Sequence, residues 1–233
     1  VSISAVTIRN GNRADNGAGI ENFGSLTVSD STFSDNDSGN TRHGGAIYNA
    51  TGANLVVLRS TSDGNSASEG GAIQNRGTAT VTNSTFSGNS AGSGGGIFNI
   101  FGTVTLVNTV VVGNTGSPAR EDCFGAGMTS LGNNLVGVGT GCPTGGSGDL
   151  TTTDAKLGPL QDNGGPTFTR SLLSDSPAID TGNNSAAPAT DQRGTTRPQG
   201  SASDIGAFEL VTSTPVPGVT GWGLIAMAIV MAS

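Results

Sequence analysis

The stretch Gly70-Gly71-Ala72-Ile73-Gln74-Asn75, followed by Thr85-Phe86-Ser87-Gly88-Asn89, decides the fold because both of its halves recur along the chain. The first half returns as Gly17-Ala18-Gly19-Ile20-Glu21-Asn22 and at residues 44–49 and 94–99. The second returns as Thr32-Phe33-Ser34-Asp35-Asn36, Thr61-Ser62-Asp63-Gly64-Asn65 and Val110-Val111-Val112-Gly113-Asn114. The marker isoleucines Ile20, Ile47, Ile73 and Ile97 are spaced 27, 26 and 24 residues apart. Self-similarity at such a period means stacked coils, each unable to bury its apolar side chains without its neighbours.

Between the markers the apolar residues alternate, as in Thr78-Ala79-Thr80-Val81-Thr82 and Thr103-Val104-Thr105-Leu106-Val107, which is the period of a strand with one buried face. Aligning the coils produces four inward columns. They are Leu26/Leu55/Ala79/Val104, Val28/Val57/Val81/Leu106, Phe33/Ser62/Phe86/Val111 and the isoleucines, with Ser62 the misfit. Sustained helical spacing is absent, and glycine recurs too often for helix interiors. The reading is an all-β, right-handed, single-stranded parallel β-helix of pectate-lyase-like shape over residues 1–148. A loop-rich cap (149–211), a Pro-rich linker (212–218) and an incomplete apolar segment (219–233) follow.

Two asparagine columns run through the repeats: Asn22, Asn49, Asn75, Asn99 and Asn36, Asn65, Asn89, Asn114. Stacked at strand spacing, amides form hydrogen-bonded ladders, and asparagine is also a favoured turn residue. Both columns are therefore read as structural rather than as rows of ligand-binding amides.

Of 233 residues 12% are charged and 39 are glycine, and the formal net charge is −7 with Lys156 the single lysine. That balance disfavours nucleic acid and anionic lipid, which need clustered basic residues. Cys123 and Cys142 are the two cysteines and His43 the one histidine, too few for a structural zinc site. The cysteines are expected to form a disulfide clasping the last coil, contributing roughly 3 kcal/mol. No signal peptide is evident and the chain opens on Val1, so a mature or truncated exported product is expected.

The strings Gly44-Gly45-Ala46-Ile47 and Gly70-Gly71-Ala72-Ile73, with Phe33-Ser34-Asp35-Asn36 and Phe86-Ser87-Gly88-Asn89, resemble the GGAI and FxxN repeats of polymorphic outer membrane proteins. These are bacterial surface β-helices, several regarded as adhesins, and the resemblance covers roughly residues 15–115. The later sequence is similar to choice-of-anchor Q domain proteins. The residues that carry it are Ser130–Leu135, Leu157–Thr167, Ser176-Pro177-Ala178-Ile179-Asp180, Asp191-Gln192-Arg193-Gly194 and Asp204-Ile205-Gly206-Ala207-Phe208-Glu209. Members of that family often carry a second cysteine pair, which this chain lacks. Gly221-Trp222-Gly223 and the apolar run after it look like the start of a C-terminal sorting signal, although a full span takes about twenty apolar residues. The resemblance implies an exported bacterial protein at the cell surface or outside the cell, anchored, if at all, through its C-terminus.

A catalytic site on such a solenoid needs several carboxylates converging from neighbouring coils. The best constellation lies just before the Gly-Gly corners, where alignment sets Asp15 against Arg42 and His43 against Glu69. It is either an acid–base site or two surface ion pairs worth about 0–1 kcal/mol each. Asp30 over Arg59 is read as a cross-coil ion pair. The outward column Glu21, Tyr48, Gln74, Phe98, with Phe101 nearby, offers an exposed aromatic platform for sugars or a protein partner. Asp180, Asp191, Arg193, Arg197, Asp204 and Glu209 concentrate charge in the cap, either to bind calcium or another ligand or to lock loops over the open end of the solenoid. No cofactor and no metal is implied. The expected function is a non-enzymatic surface protein, adhesin-like or envelope-structural, with glycans or proteins of a host or neighbouring cell as partners. The alternatives are a polysaccharide lyase or glycoside hydrolase on the same fold, and an autotransporter passenger.

Overall fold

The computed structural model describes residues 1–13, 15–137 and 141–211. The linker and apolar segment expected over 212–233 lie outside the described residues. Parallel strands stack as a β-solenoid of about five turns, and no described residue is helical.

Three sheets make the walls. The first joins Ser2–Ser4, Ser25–Ser29, Asn54–Leu58, Thr78–Thr82, Thr103–Val107 and Met128–Ser130. The second runs from Thr7–Arg9 through Thr32–Ser34, Thr61–Asp63, Thr85–Ser87, Val110–Val111 and Leu135–Gly137 to Leu150–Thr152. The third joins Ile20–Asn22, Ile47–Asn49, Ile73–Asn75, Ile97–Asn99 and Cys123–Gly125. Every pairing within these sheets is parallel and in the register expected from the repeats, as in Ile73 beside Ile47 and Ile97. The four inward columns form one apolar core, closed at its far end by Val136 and the Cys123–Cys142 disulfide. Ser62 sits in the Phe column without leaving a polar orphan, because its hydroxyl accepts from Asn65 Nδ2 (2.9 Å) and donates to Asn89 Oδ1 (3.3 Å).

The glycines of the repeat have separate tasks. Gly44, Gly70 and Gly94 take φ of 68°, 67° and 60°, and a Cβ on Gly70 would stand 2.4 Å from the Ile73 carbonyl oxygen. An L-residue is excluded there on both counts. Gly45 and Gly71 sit where one coil's backbone touches the next, since a Cβ on Gly45 would stand 2.4 Å from the Gly71 oxygen. The motif is thus the covering condition for stacking coils at a sharp corner.

The segment expected as a cap packs as a strap along the side of the solenoid. Leu150–Thr152 still pairs with the second sheet. An antiparallel hairpin, Leu157–Gln161 with Thr169–Leu172, and the loops to residue 211 then run back along the outside of that sheet. Contacts with Asn133, Asn108, Asn83, Thr61 and Thr32 trace the path from the last coils to the first. The reason lies in the outward residues of the second sheet. Val110, Val112 and Leu135 are apolar, and they form a second core with Leu172, Ala178, Ile205 and Phe208 from this strap. This shared core holds the strap against the sheet.

Candidate functional site

The asparagine columns lie inside the solenoid. Asn22, Asn49 and Asn75 each donate from Nδ2 to Oδ1 of the next asparagine at 2.7 Å, and Asn99 ends the row on the Ala126 carbonyl. Asn36, Asn65 and Asn89 donate likewise at 2.8 Å, and Asn114 closes that row on Asp122, giving it both its backbone N–H (2.9 Å) and Nδ2 (2.8 Å). All eight are buried. A third row was not read from the sequence. The N–H of Val6, Ser31 and Ser60 donates to the hydroxyl of Ser31, Ser60 and Ser84 one coil on, and further along Thr109 donates to Asn134 and Asn134 to Asp149. Serine before each Thr-Phe string was its only signal. Two rows therefore terminate on a carboxylate, which accepts the last donors without having to donate. Burial holds the Asp122 carboxyl above its ordinary value, opposed by the hydrogen bonds from Asn114.

At the corners, His43 Nδ1 and Glu69 Oε2 stand 3.2 Å apart on neighbouring coils. Nδ1 nevertheless makes no hydrogen bond, so the contact is not a directed proton path. Glu69 Oε2 instead accepts from Gln74 Nε2 at 3.1 Å. The pairing of Asp15 with Arg42 is not what forms: Asp15 meets Arg13, its near neighbour in sequence, at 3.3 Å. His43 and Glu69 thus meet across coils, whereas Asp15 is paired with Arg13.

The aromatic platform is also corrected. Tyr48 and Phe98 are 7% and 6% exposed and Gln74 is fully buried, while Phe101 stands 89% exposed. In-register parallel strands bring each outward side chain over its neighbour's, so the column covers itself. Phe98 stacks on Phe124 with ring centroids 5.8 Å apart, and Arg120 lies over Phe124 at 4.2 Å. Outward orientation was legible; exposure was not. Phe23, 72% exposed at the equivalent turn of the first complete coil, went unremarked in the sequence.

The charges of the strap bind one another and its backbone. Arg197 and Glu209 form a fully buried ion pair at 2.8 Å, and Arg197 also donates to the carbonyls of Asp204 (2.6 Å) and Gly206 (2.7 Å). Glu209 accepts from the Gln199 and Asp204 amides. Asp191 holds Arg193 at 2.7 Å and accepts from the amides of Thr195 and Glu209. Arg193 then lies over the Phe208 ring at 3.6 Å. Burial pushes the Asp204 and Glu209 carboxyls above their ordinary values, against those same hydrogen bonds. Among the described residues no group of three or more His, Cys, Asp or Glu side chains is gathered as a cation would require. Asp30 and Arg59 pair in two-pronged fashion at 2.6 and 2.8 Å, as expected.

Compared with family models, with curated proteins and with solved structures, the chain matches none.

Proposed function

We propose that this is a non-enzymatic, exported bacterial surface protein, a pectate-lyase-like β-helix of adhesin-like or envelope-structural role. One observation carries the reading: the polar residues that the repeats conserve from coil to coil are spent on internal ladders. Among the described residues no three or more His, Cys, Asp or Glu side chains are gathered in one place. A row of buried amides makes a stiff rod, which suits presentation of a surface away from a cell. The Cys123–Cys142 disulfide suits an oxidising compartment. Glycans and proteins of a host or neighbouring cell are the partners this reading names. Its anchoring element is residues 212–233, and the resemblance to choice-of-anchor Q and polymorphic outer membrane proteins supports it from sequence.

The rival is a carbohydrate-active enzyme, favoured by the contact of His43 with Glu69. Incubating the full chain with acidic and neutral polysaccharides, with and without calcium, separates the two. New reducing ends and unsaturated uronide absorbance are followed alongside retention on immobilised glycans. Retention without cleavage is expected. Cleavage abolished by His43→Ala or Glu69→Gln would make the protein an enzyme.

A further inference from the structure

Where the strap reaches the first coils, its tip leaves a cavity of about 360 Å3 lined by Thr7, Arg9, Thr32, Ser34 and Phe168. That volume lies within the range of small-ligand sites, about 300–1,000 Å3. Its wall combines a cation, an aromatic ring and hydroxyl groups.

The cation is Arg9. Its strand places it beside Ser34, and Ser34 beside Asp63 on the following coil. Asp63 is the carboxylate of that column, but it is occupied by Arg170, which arrives from the strap. Among the described residues no carboxylate pairs with Arg9. In a chain of net charge −7 an exposed guanidinium left in this state is conspicuous.

The ring is Phe168, 45% exposed. Its backbone is bolted down on both sides. The Phe168 carbonyl accepts from Thr32 Oγ1 at 2.5 Å and from Gln192 Nε2 at 3.1 Å, and the Thr167 hydroxyl donates to the Asp30 carbonyl at 2.9 Å. Gln192 is itself buried at 1% exposure. The strap therefore fixes the segment that carries the ring and leaves the ring partly bare. A preorganised aromatic of that kind gives a flat apolar face at little entropic cost on binding.

We infer that this cavity binds a carboxylated sugar unit of an acidic polysaccharide. The Arg9 guanidinium takes the carboxylate, for which its planar fork is suited. Phe168 takes the apolar face of the sugar ring, and the Thr7 and Ser34 hydroxyls are placed to meet sugar hydroxyls. A bare inorganic anion would leave the ring unused, and a neutral sugar would leave the cation unused. General attraction of polyanions is not available to so acidic a chain. The inference rests on the surface-binding reading above and gives it a ligand class.

The test is calorimetric titration of the full chain with a short galacturonate oligomer, its methyl ester, a neutral galactose oligomer and inorganic sulfate. Binding is expected for the acidic oligomer, with the ester, the neutral oligomer and sulfate each about tenfold weaker or more, the loss of one charge-assisted contact. Arg9→Gln should weaken the acidic oligomer by about tenfold or more, and Arg9→Lys by less. Phe168→Ala should also weaken it, whereas Arg13→Gln, an exposed arginine outside the cavity, should leave it unchanged. Arg9 is exposed and Phe168 half-exposed, so an unaltered melting temperature is expected for their variants. No binding, equal binding of acidic and neutral oligomers, or affinity that survives both substitutions would overturn the site. If other glycans are still retained by the wild type, the surface-binding reading outlives that failure. Binding at this cavity accompanied by cleavage would keep the site and remove the non-enzymatic reading.

Discussion

The solenoid and its strap are held together in opposite ways. In the solenoid each stabilising interaction is repeated once per coil: a column of isoleucines, a column of asparagines, a corner glycine. In the strap each is made once, and its partners are far apart in sequence, as when Gln192 meets Thr32 and Thr61. Repetition permits neutral amides to satisfy one another inside the core. A single-copy loop assembly has no such neighbour, so it pins its turns with buried charge, Arg197 on Glu209 and Asp191 on Arg193. A stack of equivalent units resists local damage differently from a keystone, and that contrast can be tested.

The largest effect is expected at the keystone. Arg197→Ala leaves Glu209 buried with its amide donors but no cation, and should cost about 3–5 kcal/mol in urea unfolding. Replacing both partners, as Arg197→Met with Glu209→Leu, should recover most of that loss, because the burial cost of two charges disappears with the pair. If the single and double variants lose equally, the ion pair is not what holds the strap.

A middle-sized effect is expected in the ladder, graded by position. Asn89 donates to Asn114 and accepts from both nitrogens of Asn65, so Asn89→Ala orphans buried groups on two coils. A loss of about 2–3 kcal/mol is expected. Asn36, the first rung of the same row, donates to Asn65 but accepts from the Gly11 N–H rather than from another asparagine, and Asn36→Ala should cost about 1 kcal/mol. Equal losses at the two positions would mean that the ladder does not act as a chain of shared bonds.

These contrasts also account for what could be read in the sequence. Repeated positions identify themselves: four apolar columns and two amide columns were visible because each had four members. The strap was visible as a charged, loop-rich segment, but its location was not. The cue for its place was that the second sheet's outward residues become apolar at Val110, Val112 and Leu135, which only matters once the coils are aligned on their neighbours. Tyr48 and Phe98 failed for a related reason. Alternation places a side chain outside the coil, while exposure depends on what the adjacent coils place beside it. Arg9 and Phe168 were beyond reach, since they are 159 residues apart in sequence and meet only because the strap doubles back.

The smallest expected effect concerns pH and the end of a ladder. The folded-state pKa of Asp122 is raised by burial from its ordinary value of 3.8. The folded state therefore holds this proton more tightly than the unfolded one. The group's contribution is complete below the unfolded value and is lost as pH rises through the folded value. Asp122→Asn keeps an acceptor for Asn114 and removes the charge. It should match or exceed the wild type in melting temperature at pH 7, with the difference shrinking as the pH is lowered toward 4. A difference that grows on acidification would mean that the carboxylate is stabilised, not penalised, at this position.

Hydrogen exchange on the full chain and on Arg197→Ala tests the division between stack and strap most directly. In the variant, the amides of Gln192, Ile205 and Gly206, which bond within the strap or from strap to solenoid, should lose protection. The amides of Thr61, Thr85 and Asn89, bonded coil to coil, should keep theirs. Uniform loss across both sets would contradict the account, because it would make solenoid and strap one cooperative unit rather than a self-sufficient stack carrying a keystoned loop assembly.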